Sequence, residues 1–257
     1  MNKPLATSLI ALGLAIAGPA AAQDSQDTKD STAKDWAGFY IGIHYGHGSA
    51  KADTDFSPLP TATQFVNLQP TTIALRPSGS VFGGQLGYSW QSGHAVWGFQ
   101  GDVSSLNMDD SVTRSPITQN NGTPFFAGSY ISASADYGRM YTLRARLGYA
   151  TNNGWLFYGT GGFARAKIEN SAVTNFRPVG STQYIALTSD SHTGHVYGLG
   201  AAYKISEHMS VNAEYTHFGL GDQSKVADAT PLLPPFQVGY HWQAEGKMWQ
   251  IGFNYHF

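Results

Sequence analysis

From residue 36 to its end, the chain repeats short segments in which large apolar residues alternate with small or polar ones. The last segment is the clearest, because Trp249, Ile251, Phe253, Tyr255 and Phe257 alternate with Gln250, Gly252, Asn254 and His256. Successive side chains of a β-strand point to opposite faces, so this period of two predicts strands with one apolar face. Eight such segments are predicted, at about 36–46, 80–90, 95–104, 137–149, 155–168, 195–205, 209–216 and 247–257.

The connections between these segments alternate in length. Those after the second, fourth and sixth segments are about four residues long, and one contains Asn152-Asn153-Gly154, a strong hairpin signal. The other four are polar and roughly 25 to 30 residues long, at about 49–79, 106–136, 169–194 and 219–246. Short turns on one side and long loops on the other are typical of outer-membrane barrels. We therefore predict an all-β fold, an eight-stranded antiparallel up-and-down transmembrane β-barrel with long extracellular loops and short periplasmic turns.

Composition helps to decide which face of the sheet contacts water. Only 12% of the residues are charged, about half the usual share of a soluble domain. A soluble barrel of the lipocalin type would turn its apolar side chains inward and a charged set outward. Here the set opposite the aromatic residues is mostly Gly, Ser, Thr, Asn and Gln, which favours an apolar face turned towards lipid. Four tyrosines near the short turns and the C-terminus are predicted to form an interfacial aromatic girdle: Tyr88, Tyr149, Tyr203 and Tyr255.

The few charged residues on the polar face are expected to meet inside the barrel. They are Asp102, Arg144, Arg146, Glu214 and, if the alternation of the fifth segment holds, Arg165. Buried charges need partners, so we predict an internal network in which Arg144 and Arg146 pair with Glu214 and Asp102. These residues could line a polar conduit or plug the lumen, and the narrow interior of an eight-stranded barrel favours the plug.

The fifth segment alternates less cleanly than the others. Its small and apolar residues from Leu156 through Tyr158 and Thr160 to Ala164 and Ala166 are expected to share the outer face. That parity would turn two phenylalanines, Phe157 and Phe163, towards the lumen.

The N-terminal region has the pattern of an exported protein. Residues 1–22 combine Lys3, an apolar run and a small-residue end at Ala20-Ala21-Ala22, which predicts a signal peptide cleaved after Ala22. Residues 23–35 are polar and predict a disordered periplasmic segment. The barrel domain is expected to span 36–257.

Histidines are the remaining candidates for ligand chemistry. His47, His195, His217 and His241 are expected near the outer rim, where they are candidate contacts for haem or a metal. Scattered polar decoration is the simpler interpretation, and we predict no metal and no resident cofactor. The chain has no cysteine and carries neither a Gly-x-Ser-x-Gly elbow nor a paired Asp-His motif, so no enzymatic activity is expected. A net charge of −2 offers no basic field for nucleic acid.

Three stretches together resemble a known family. They are Asp35-Trp36-Ala37-Gly38-Phe39-Tyr40-Ile41-Gly42, Arg144-Ala145-Arg146-Leu147-Gly148-Tyr149 and Gly252-Phe253-Asn254-Tyr255-His256-Phe257. The chain is similar over nearly all of its predicted mature length to small outer-membrane β-barrel proteins of alphaproteobacteria, the RopB type. The resemblance implies a major surface and envelope-integrity protein without catalytic residues. Some members are regarded as porins and some relatives bind haemin, so a narrow small-solute porin and a haem-binding protein are the alternatives.

The resemblance and the closing strand also indicate location and partners. We expect an integral protein of the cell outer membrane, in contact with outer-membrane lipid and lipopolysaccharide. The C-terminal strand ending at Phe257 is the expected signal to the barrel-assembly machinery, and haemin is the candidate small-molecule partner.

Overall fold

The computed structural model describes residues 34–59, 68–124, 127–176, 183–230 and 237–257. Within these ranges the chain forms β-strands and turns and contains no helix. The twelve strands are β1 (Gly38–Lys51), β2 (Thr54–Pro58), β3 (Leu68–Gln69), β4 (Thr72–Ile73), β5 (Ser78–Ser92), β6 (Ala95–Arg114), β7 (Thr118–Gln119), β8 (Tyr130–Ala150), β9 (Trp155–Asn175), β10 (Gln183–Lys204), β11 (Met209–Thr230) and β12 (Gln237–His256). The predicted signal peptide and all of the predicted disordered segment except Lys34 and Asp35 lie outside the described residues. In the described part of the chain, no helix has the length and apolar character needed to cross a membrane.

Eight long strands close into a barrel. Their order is β1-β5-β6-β8-β9-β10-β11-β12, every neighbouring pair is antiparallel, and β12 returns to pair with β1. Stepping from Tyr255 of β12 to its paired residue on the next strand, and so on once around the barrel, leads back to β12 ten residues away, at Glu245. This stagger means that the strands are tilted, so side chains at one height follow a diagonal across neighbouring strands. The predicted fold class is confirmed.

The short turns lie where the sequence predicts them, but the long connections differ. Strands β8 to β11 have 21 or 22 residues each, whereas a tilted strand needs about 9–11 to cross a bilayer. Much of the sequence assigned to loops therefore continues the barrel beyond the membrane. For example, the predicted loop at 106–136 contributes its first nine residues to β6 and its last seven to β8.

We call the parts of the strands beyond the membrane the extracellular extension. The alternation is harder to see there because the apolar residues move from the outer face to the inner one. Within the membrane, β12 turns Trp249 outward and Gln250 inward, but higher on the strand Lys247 is exposed and Met248 is buried. On β8, Ala133 and Ala135 are buried above the membrane, where their polar neighbours face outward. Lipid requires an apolar exterior, whereas water outside the extension requires an apolar interior. The extension consequently has its own hydrophobic core.

Candidate functional site

A charge network crosses the middle of the lumen and joins β6, β8 and β11. Arg144 Nη2 lies 3.0 Å from Asp102 Oδ2, Arg144 Nη1 pairs with Glu214 Oε1, and Nη1 also donates to Thr160 Oγ1 at 3.1 Å. These three charged side chains are at most 5% exposed. One guanidinium thus pairs with two buried carboxylates, and the hydroxyl of Thr142 donates to Asp102 Oδ2 at 2.5 Å. Such a network is expensive to break from one side, because the remaining charges stay buried.

Arg146 also points into the lumen, but its surroundings differ from the prediction. Its guanidinium carbon lies 3.5 Å from the centroid of the Tyr158 ring, and its Nη1 donates to Tyr40 Oη at 3.2 Å. The Tyr158 hydroxyl in turn donates to Glu214 Oε2 at 3.0 Å. The predicted pairing of Arg146 with a carboxylate is therefore wrong. Two tyrosines take that place, so the cation is stabilised by aromatic faces and by a hydroxyl.

The predicted parity of the fifth segment, now β9, is also wrong. Phe157 and Phe163 are 53% and 71% exposed and face outward, whereas Leu156 and Tyr158 are buried inside. Arg165 shares the exposed face and does not belong to the lumen network. The register explains this result, because Phe157 is paired with Tyr149 of β8, and directly paired residues of an antiparallel sheet lie on the same face.

Glycines on the lumen face make room for the two interior tyrosines. A Cβ at Gly87 would meet the ring of Tyr40, and a Cβ at Gly200 would meet the ring of Tyr158. The hydroxyl of Tyr40 donates to Gln100 Oε1 at 2.9 Å, which connects the ring to the rest of the network. Sequence reasoning missed both tyrosines. The alternation that places Gly38 and Gly42 on the polar face of β1 also places Tyr40 there.

Buried side chains cover the network at both ends. At the periplasmic end, Trp36 is 2% exposed and packs with buried Val96 and Leu156, and its backbone N donates to Gln91 Oε1 at 2.7 Å. At the extracellular end, the interior changes to a large cluster of buried apolar side chains, among them Met140 and Phe218. In the described barrel, buried side chains therefore lie on both sides of the charge network, and those at the periplasmic end include polar residues such as Ser210 and His256.

The four candidate histidines do not converge on one site. His47, His195 and His217 lie on the outer wall of β1, β10 and β11, and His195 and His217 both stack on Tyr197 with ring centroids 6.2 and 5.0 Å apart. His241 lies elsewhere, with Nδ1 2.9 Å from Ser224 Oγ. Among the described residues, no group of three or more His, Cys, Asp or Glu is arranged to hold a metal ion.

The predicted girdle tyrosines lie on the outer wall at the periplasmic end. Tyr88, Tyr149, Tyr203 and Tyr255 are 45, 55, 37 and 44% exposed. Phe257 follows the last strand, where its backbone N donates to Phe39 O at 3.0 Å and its ring lies 5.5 Å from that of Phe39. The last residue thus contacts the start of β1 and completes the closure of the sheet.

A closed ring of antiparallel strands, an aromatic outer wall and a filled interior define the protein as an outer-membrane β-barrel. Residues 7–257 match the family described as "Outer membrane protein beta-barrel domain", and the chain belongs to that family. It is 28% identical over 225 residues to the 31 kDa outer-membrane immunogenic protein of Brucella melitensis, a match that covers 86% of this chain and 84% of that protein. The predicted outer-membrane location and the resemblance to alphaproteobacterial barrels are confirmed.

Several solved structures are similar to this chain, among them the following two. The outer membrane protein OprG of Pseudomonas aeruginosa has 15% identity and a TM-score of 0.49, with 88% of this chain and 98% of that chain covered. Neisserial surface protein A has 11% identity and a TM-score of 0.38, with 86% and 98% covered.

Proposed function

We propose that this protein is a structural and surface component of the outer membrane that neither catalyses a reaction nor conducts solutes. The observation that carries the proposal is the filling of the lumen by the charge network and the buried side chains on both sides of it. Asp102, Arg144 and Glu214 pair with one another and are almost fully buried, so a substrate or a permeating solute has no access to them. The interior then serves the rigidity of the barrel, and the outer wall and the extracellular extension make the functional contacts.

The extension supports a role at the cell surface. Four of the strands, β8 to β11, are about twice as long as a bilayer requires, and their outward residues beyond the membrane are largely polar. A relative is named an outer-membrane immunogenic protein, which fits a barrel that displays such a surface. We include in this proposal export by a cleaved signal peptide and delivery to the assembly machinery through the strand that ends at Phe257.

An experiment in cells tests whether the protein supports the outer membrane and whether the lumen charges are needed for that role. Loss of the gene should increase the sensitivity of the cells to detergent and to large apolar antibiotics, and the wild-type gene should restore resistance. A variant with a balanced lumen charge, Arg144→Met with Asp102→Asn, should restore it equally, whereas a chain lacking Phe257 should not. Unchanged permeability in the deletion strain would contradict the proposal. So would a folded, membrane-inserted Arg144→Met/Asp102→Asn variant that still fails to restore resistance.

Haem binding is the second candidate function, and one observation favours it. His195, Tyr197 and His217 form a continuous aromatic stack on the outer wall, and histidine and tyrosine are both ligands of haem iron. Titration of the refolded protein with haemin would then give a Soret shift that is lost in His195→Ala/His217→Ala and kept in the control His241→Ala. An identical titration of all three proteins removes this candidate.

A further inference from the structure

An outward-facing band of basic side chains runs around most of the barrel. Six consecutive strands, from β8 round to β1, each contribute one member. We call this set the outer cationic arc, and its members are His47, Arg139, Arg165, His195, His217 and Lys247. All are exposed except His217, which is half-buried.

Each member of the arc lies two residues from an aromatic side chain on the same strand. Because residues two apart share a face, every aromatic partner also faces outward, on the side of its basic neighbour that lies towards the membrane. These aromatic partners are Tyr45, Tyr141, Phe163, Tyr197, Tyr215 and Trp249. The arc thus borders the apolar wall.

The register places the members of the arc at one height. Arg165 is paired with Tyr141, the aromatic partner of Arg139, and His195 is paired with Phe163, the aromatic partner of Arg165. In the same way, His217 is paired with Tyr197, the aromatic partner of His195, and His47 is paired with Trp249, the aromatic partner of Lys247. His217 and Lys247 are paired with each other. Because the strands are tilted, residues at equal height on neighbouring strands are not paired but are offset along the strands. A two-residue offset in this direction is the one that the stagger of the barrel requires.

The interior marks the same height as the edge of the membrane. Beside Lys247, the lumen side of β12 changes from Gln250 to Met248, and beside Arg139, that of β8 changes from Thr142 to Met140. On these two strands, the apolar set leaves the outer face at this height and moves to the inner one. The arc therefore lies where the acyl chains of the outer leaflet end and its headgroups begin.

The cations of the arc lack carboxylate partners in the described part of the chain, although Arg139 is hydrogen-bonded to Tyr141. Arg139, Arg165 and Lys247 form no ion pair with any described carboxylate. The nearest outward carboxylates along these strands, among them Asp136 and Glu245, lie farther from the membrane. Three permanent cations and three histidines thus face the headgroup layer with no anion at their own level.

We propose that the outer cationic arc binds the phosphate groups on the glucosamine headgroup of lipopolysaccharide. Phosphates held at this height fit arginine forks and a lysine ammonium, which are their usual protein partners. The acyl chains of the same molecule would run down the aromatic wall below. The proposal rests on the outer-membrane location of the protein and is independent of whether the lumen is closed.

The test compares lipid A that carries both phosphates with the same lipid A after its phosphates are removed, by native mass spectrometry of the refolded full barrel. Wild-type protein should prefer the phosphorylated lipid about tenfold or more, because several exposed charge pairs act together. Arg139→Gln/Arg165→Gln/Lys247→Gln should lose this preference. The matched control, Lys51→Gln/Arg76→Gln/Lys167→Gln, removes three cations that the protein already pairs with Asp53 and Glu169, and it should keep the preference.

A second measurement uses only the wild-type protein and needs no variant to fold. The preference for phosphorylated lipid should weaken as sodium chloride is raised, because salt screens exposed charges. Equal binding of the two lipids, an equal loss in the control variant or a salt-independent preference would overturn the proposal. Displacement of the lipid by inorganic phosphate at a similar concentration would overturn the assignment to a lipid. If the triple variant changes only the oligomeric state and keeps the preference, the arc is a contact between copies of the chain and the proposal fails.

Discussion

Replacing Arg144 by methionine removes the only cation that the described lumen offers to Asp102 and Glu214 within ion-pair distance. Both carboxylates would remain at most 5% exposed, and breaking a buried pair from one side costs about 3–5 kcal/mol. We expect a loss of this size, since methionine preserves much of the volume and the change is mainly one of charge.

The measurement is urea unfolding of the barrel in lipid vesicles, followed by tryptophan fluorescence and by heat-modifiable gel mobility. Adding Asp102→Asn should recover about 2 kcal/mol, because the new amide oxygen still accepts the hydrogen bond of Thr142 while one buried carboxylate is gone. The other carboxylate, Glu214, then remains balanced by Arg146, to which it is linked through Tyr158.

The matched control is Arg165→Met, which removes an exposed arginine from the outer wall and should change stability by about 1 kcal/mol at most. An unfolding free energy for Arg144→Met within about 1 kcal/mol of the wild-type value would contradict this expectation. So would an Arg144→Met/Asp102→Asn variant that is no more stable than Arg144→Met.

Other consequences follow from packing, closure and charge. Gly200→Ala should destabilise the barrel by about 1–3 kcal/mol, because the new methyl group collides with an interior tyrosine ring, while Gly161→Ala, which meets nothing within 4 Å, should not. Deleting Phe257 should strongly reduce insertion into vesicles, because the hydrogen bond to Phe39 and the ring contact are both lost. Burial, together with two neighbouring carboxylates, raises the pKa of Asp136 in the extension. Stability should therefore fall as pH rises through that pKa, and Asp136→Asn should remove this decline.

Each of these measurements has an internal comparison. Equal midpoints for Gly200→Ala and Gly161→Ala would show that the interior has room for a methyl group. For closure, the comparison is deletion of Asn121 in an extracellular connection, and equal insertion of the two deletions would remove the role of the last residue. For the pH effect, thermal midpoints are compared at about pH 3 and pH 7, either side of the reference pKa of an aspartate. A constant difference between Asp136→Asn and the wild type would contradict the expected linkage.

Most of the membrane-spanning wall could be predicted because lipid allows only apolar side chains outside and a narrow lumen favours small or polar ones inside. On β12, for example, the alternation from Trp249 to Phe257 is compatible with only one orientation of the strand, in which the large apolar side chains face lipid. On β9 the same reasoning fails because Phe157 and Tyr158 are adjacent and both aromatic, so residue type does not decide which one faces lipid. The hairpin register decides it, through the pairing of Phe157 with Tyr149.

The strands of the extracellular extension could not be predicted for a different physical reason. The pattern that predicts a strand here is a constant face of large apolar residues, and above the membrane edge that face becomes polar, as at Lys247. Alanine and serine then mark the two faces, and their alternation is weak in any hydropathy pattern. The partner of Arg146 was unpredictable for a related reason, since it depends on Tyr158, whose orientation follows from the parity of β9.

Electrical recording from planar lipid bilayers tests directly whether the lumen is closed. The refolded wild-type protein, shown to be inserted by its heat-modifiable mobility, should give no discrete conductance steps at any applied voltage that the membrane tolerates. A general porin in the same membranes serves as the positive control. Reproducible single-channel steps from the wild-type protein would mean that the buried side chains between Trp36 and Phe218 leave a continuous aqueous path, and the account of the lumen would be wrong.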